Sequence, residues 1–79
     1  MVFIKGQTVR NINEPLQKYI IDRENAFKLD GVIKVRSLSG PLYQEGQYIL
    51  FVPHNPEIHE KSLDGTAKYC VDCQLELDE

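Results

Sequence analysis

The stretch AKYCVDCQLELDE, residues 67–79, decides how the chain is read, because it holds both cysteines and the longest run of alternating side chains. Ala67, Tyr69, Val71, Cys73, Leu75 and Leu77 fall on one side of an extended chain. Lys68, Cys70, Asp72, Gln74, Glu76 and Asp78 fall on the other. An unbroken period of two is the pattern of a half-buried strand. On such a strand Cys70 and Cys73 face opposite ways, and their Cα atoms stand roughly 10 Å apart, beyond the span of a disulfide. The expectation is a core Cys73 and an outward Cys70.

The neighbouring segments extend this β reading. In GVIKVRS (31–37), Ile33 and Val35 point inward while Lys34 and Arg36 face water. GQYILFVP (46–53) is apolar from Tyr48 to Val52, as in a central strand covered on both faces or one whose outer face meets a partner. QTVRNI (7–12) reads as a first strand. The segment NEPLQKYIIDRENAF (13–27) admits two readings. Leu16, Tyr19, Ile20, Arg23 and Phe27 follow helical spacing behind Asn13 and Pro15, which favours a short helix near residues 14–25; the β-prone Tyr-Ile-Ile favours an irregular excursion between strands. Residues 53–66 form a long loop, in which Asn55-Pro56 opens a helical turn. Glycine, proline and Asp-Gly signals punctuate these runs closely, as between short antiparallel strands. The fold expected is mainly all-β, one small antiparallel domain of about five strands over residues 1–79.

A chain of 79 residues has a thin core and little room for a catalytic cleft as well, so a non-enzymatic binding module is expected. Nothing approaches the length of a membrane span or a signal-peptide core, and two cysteines without an export signal point to a reducing, cytoplasmic setting. The net charge of −3 is divided unevenly: residues 1–39 carry seven basic and four acidic side chains, residues 40–79 two and eight. An acidic half favours a basic partner surface and disfavours a nucleic-acid backbone.

The order of features resembles an SH3-like barrel of the KOW or Tudor kind. The segments that carry the resemblance are KGQTVR (5–10), the excursion 11–28, GVIKV (31–35), GQYILFV (46–52) and CQLEL (73–77). It implies a five-stranded barrel whose loops bind something, as in nucleoprotein adaptors, peptide and modified-lysine readers, and accessory subunits. The aromatics available for a reader's cage are Tyr43, Tyr48, Phe51 and Tyr69. By analogy, small acidic proteins of this sort are common among phage-encoded modulators of host machinery.

The function expected is therefore the binding of another protein, as accessory subunit or inhibitor. The expected surface is the apolar run with the acidic strand face: Tyr48, Leu50, Val52, Asp72 and Glu76. The alternative is a nucleic-acid or nucleoprotein adaptor using a basic stripe of Lys28, Lys34 and Arg36. A second alternative is a zinc-stabilised module. His54, His59, Cys70 and Cys73 give H-x4-H-x10-C-x2-C, a correct ligand set for a tetrahedral site. Against it, YCVDCQ lacks the Pro or Gly that usually helps the chain turn between two such cysteines, and a strand separates them. No metal or other cofactor is expected on that reading, and the histidines are most simply solvated. Redox catalysis by C-x-x-C ranks lower still, because the pair sits beside Asp72 and Glu76 rather than at a helix N-terminus. No phosphate loop or nucleophile elbow is present, and no catalytic residue is assigned.

Overall fold

A computed structural model describes residues 3–59 and 69–78. Five strands form one antiparallel sheet: β1 (Thr8–Asn11), β2 (Lys18–Arg23), β3 (Ile33–Ser39), β4 (Tyr48–Phe51) and β5 (Leu75–Leu77), in the spatial order β4-β3-β2-β1-β5. Among the described residues two single helical turns, α1 (Pro56–His59) and α2 (Val71–Gln74), lie between β4 and β5. A 3-10 turn, Ala26–Lys28, precedes β3. Among the described residues no helix is long and apolar enough to cross a membrane.

Each strand contributes alternate residues to one core: Val9 from β1, Tyr19 and Ile21 from β2, Ile33 and Val35 from β3, Ile49 and Phe51 from β4, and Leu75 from β5, joined by Phe3 and Val71. Phe51 and Tyr19 meet edge to face, with ring centroids 5.7 Å apart. The β3 pattern is the one read from GVIKVRS, with Ile33 and Val35 buried and Arg36 exposed. Asn55 and Pro56 open a helical turn as expected, the Asn55 Oδ1 accepting the Glu57 N–H at 3.0 Å.

Three expectations need correction. Residues 14–25 hold no helix; a turn leads into β2, where Tyr19 and Ile21 enter the core. The helical stripe fails because two of its members are outside the core: Leu16 is 72% exposed and Phe27 70%. The apolar run 48–52 is not a strand covered on both faces. Its first four residues form β4, an outer strand of the sheet, with Ile49 and Phe51 buried and Tyr48, Leu50 and the following Val52 exposed.

The third correction falls on the opening stretch. Only Leu75–Leu77 is strand; Val71–Gln74 is a helical turn, and residues 67, 68 and 79 lie outside the described residues. Cys70 is fully buried and Cys73 half-buried, the reverse of the alternation. The alternation is long, but the four residues 71–74 within it carry too little periodicity by themselves to separate a strand from a single helical turn.

Between the two helical turns the chain returns to β4. The Val71 N–H donates to the Val52 carbonyl at 2.9 Å and the Val52 N–H to the Tyr69 carbonyl, making a parallel bridge from Val52 to Cys70. The two outermost strands are thereby linked through one segment: β4 runs into this bridge, and α2 leads from it into β5, which pairs with β1.

Candidate metal centre

The return of the chain to Val52 brings four side chains of metal-binding type together. His54 follows β4, His59 ends α1, Cys70 sits at the bridge, and Cys73 lies on α2. One ligand atom from each lies within 4.8 Å of the others. The helical turn does what the strand reading excluded. Residues three apart on a helix share a side, and here the two cysteine Cα atoms are 5.1 Å apart. Neither glycine nor proline is needed, because Cys70 takes an extended backbone and caps the turn itself: its Sγ accepts the Cys73 N–H at 3.2 Å.

The two sulfurs are joined as a disulfide in this structure. His54 Nδ1 lies 3.1 Å from Cys73 Sγ and 3.7 Å from Cys70 Sγ. The rings of His54 and His59 are 5.6 Å apart between centroids, and both residues are half-buried rather than fully solvated. With Zn–S near 2.3 Å and Zn–N near 2.0–2.1 Å, a tetrahedral site has edges of about 3.3–3.8 Å. The histidine–sulfur separations already approach those edges. Two thiolates and two imidazoles would suit zinc, and four protein ligands would leave no open position, which is the pattern of a structural rather than a catalytic centre.

Two features of the surroundings bear on loading. The Cys73 N–H on Cys70 Sγ is the kind of backbone donor that offsets thiolate charge. His59 Nδ1 accepts the Asn55 N–H at 2.7 Å, so in the neutral ring the proton sits on Nε2. Coordination through Nδ1 replaces that hydrogen bond. Coordination through Nε2 moves the proton to Nδ1 and breaks it equally. Either way the Asn55 amide reports occupancy.

The residues expected to bind a partner divide into two groups. Tyr48 and Leu50 on β4 and Val52 just after it are exposed, and Tyr69 lies close by with its ring 6.3 Å from that of Phe51. A shallow cavity of about 370 Å³ is lined there by Tyr43, Gln47, Tyr48, Ile49, Leu50 and Tyr69. Of the four aromatics considered for a cage, Phe51 is in the core, and the Tyr43 hydroxyl is pushed up to about 12 by burial and by its neighbour Tyr69. Asp72 and Glu76 do not form one acidic strand face. Asp72 is exposed on α2, whereas Glu76 accepts from Arg10 Nε at 2.7 Å across the β1–β5 pair. Asp78 is held by Lys18 at 2.9 Å and Arg10 at 3.3 Å, and the Lys18 hydrogen bond first of all keeps its carboxyl below the usual carboxylate range. Glu76 and Asp78 are thus matched inside the chain.

The basic stripe is also split. Lys34 and Arg36 lie on the outer side of β3, with the Lys34 ammonium 4.5 Å from the centre of the Tyr48 ring, while Lys28 belongs to the separate 3-10 turn. One buried polar residue went unread in the sequence. Gln17 lies wholly in the interior and binds Leu42, Tyr43, Ser37 and Lys18. No pattern in EPLQKY distinguishes it from a surface glutamine.

Comparison with protein-family models, with curated proteins and with solved structures finds no match to this chain.

Proposed function

We propose that the protein is a zinc-stabilised, non-enzymatic β-module that docks another protein. The observation that carries the zinc reading is the convergence of His54, His59, Cys70 and Cys73, with one ligand atom from each within 4.8 Å of the others. Zinc there fastens the end of β4 to the turn that leads into β5, stabilising a domain whose core is thin for its size. The link between the two outermost strands also supports closure into an SH3-like barrel, since one continuous core draws residues from all five. The docking surface is the exposed row of Tyr48 and Leu50 on β4 with Val52 just beyond it, where β4, as an outer strand, also offers backbone groups for strand addition.

The test of the zinc reading is native mass spectrometry of the reduced chain with added zinc, together with cobalt substitution. One metal per chain, a tetrahedral cobalt spectrum with thiolate charge-transfer bands, and a shifted Asn55 amide resonance are expected. A reduced, folded chain that remains metal-free in excess zinc rejects it. For the docking surface, Leu50→Lys changes an exposed side chain and is expected to leave the melting temperature unchanged while removing the proteins retained by the immobilised, zinc-loaded module. An unaltered set of retained proteins takes β4 out of the reading.

A further inference from the structure

We propose that the metal centre is redox-gated: Cys70 and Cys73 hold zinc as thiolates and release it when a peroxide joins them as a disulfide. The inference rests on the zinc reading above and concerns the regulation of that same site. Its basis is that one backbone serves both states. The two sulfurs are bonded to each other in this structure, while His54 Nδ1 lies 3.1 Å from Cys73 Sγ and the ligand atom of His59 remains in the same cluster. The Cα separation of 5.1 Å falls within the usual disulfide range of about 4.4–6.8 Å. The helical turn that presents both sulfurs to a metal is therefore the turn that permits their bond. A C-x-x-C held on a strand would bind neither way.

The burial of the two cysteines sets the order of events. Cys70 is fully buried and Cys73 half-buried, so Cys73 is the sulfur that a small oxidant reaches. Its thiolate attacks one oxygen of hydrogen peroxide; the O–O bond breaks, a sulfenic acid forms on Cys73, and hydroxide leaves and takes a proton from solvent. The Cys70 thiolate then attacks the Cys73 sulfur. The S–S bond forms, the S–O bond breaks, and a second hydroxide leaves and is protonated to water. Two thiolates have given up two electrons, and peroxide has become two waters. The metal loses both anionic ligands, and two neutral imidazoles do not retain it. A dithiol reductant reverses the bond by exchange, and zinc rebinds.

The experiment treats the zinc-loaded full chain with a small excess of hydrogen peroxide. Zinc release is followed with a chromogenic chelator, and the cysteines are counted by alkylation and intact mass. Stoichiometric zinc release, loss of both alkylatable thiols and a mass lighter by two hydrogens than the reduced apo chain are expected, with full recovery on adding dithiothreitol and zinc. In the reduced, metal-free chain Cys73 is expected to alkylate before Cys70. Retention of zinc under peroxide overturns the gate and leaves the zinc reading standing. Release accompanied by added oxygen atoms, as sulfinate, does the same. A reduced chain that takes up no zinc at all removes the zinc reading, and the gate falls with it.

Discussion

Cys70→Ser is expected to abolish the zinc-dependent stability of the reduced protein while leaving the metal-free protein nearly unchanged. The substitution separates two roles of one atom. Cys70 Sγ caps the turn α2 by accepting the Cys73 N–H, and it belongs to the four-ligand cluster. Serine is among the preferred N-cap residues, so its hydroxyl takes over the first role. It does not replace a thiolate in the second. Ligand binding to the folded state alone contributes about 4.1 kcal/mol at a thousandfold excess over the dissociation constant. For a domain of 60–100 residues each kcal/mol moves the midpoint by about 4–8 °C, so zinc is expected to raise the wild-type melting temperature by roughly 15–30 °C. The variant should show almost none of that rise. Thermal melts of both reduced proteins, with zinc and with chelator, measure it. An equal response to zinc in Cys70→Ser excludes this cysteine as a ligand.

How far the sequence showed this arrangement depends on which interactions are local. The four candidate ligands were legible as residue types and spacing, because H-x4-H-x10-C-x2-C needs no knowledge of the fold. Their convergence was not. It depends on the Val52–Cys70 bridge, a contact between residues eighteen apart in the chain, and on a helical turn at 71–74 inside a run whose alternation is that of an extended chain. The strand β3 was legible because Ile33 and Val35 reach the core while Lys34 and Arg36 do not, which is a pattern within one strand. β2 was less so. Its period-two pair, Tyr19 and Ile21, competes with a helical stripe through Leu16 and Phe27, and only the tertiary structure leaves those two at the surface. Charge misled in a similar way. The sum of acidic residues in the second half is real, yet the β1–β5 register sets Arg10 opposite Glu76, and Lys18 and Arg10 hold Asp78, so two of those charges are matched internally.

The second large effect is expected at Gln17. Gln17→Leu should destabilise the protein by roughly 2–4 kcal/mol without changing the number of zinc ions bound, since its hydrogen bonds go to Leu42, Tyr43, Ser37 and Lys18 and to none of the four candidate ligands. Gln17 is wholly buried just before β2, and its amide ties the start of β2 to β3 and to the turn between β3 and β4. Its Oε1 accepts the N–H groups of Leu42 at 2.9 Å and Tyr43 at 3.1 Å. Its Nε2 donates to Ser37 Oγ at 2.8 Å and to the Lys18 carbonyl at 3.3 Å. The β3–β4 turn lies directly on this residue: Gly40 has φ 131°, and a Cβ placed there would stand 2.4 Å from Gln17 Cα. Leucine matches the volume but accepts nothing, so two backbone N–H groups in the turn lose their acceptor at about 1–3 kcal/mol each, less whatever water recovers. Against a total of roughly 4–12 kcal/mol for a chain of this length, that is a large share. Urea unfolding of the reduced, metal-free proteins reads the difference directly. Hydrogen exchange at Leu42 and Tyr43 should quicken most, because those are the amides released. If the unfolding midpoints coincide and exchange is unaltered, the turn is held instead by Tyr43, whose ring packs 6.1 Å from that of Tyr19, and the glutamine network contributes little to the fold.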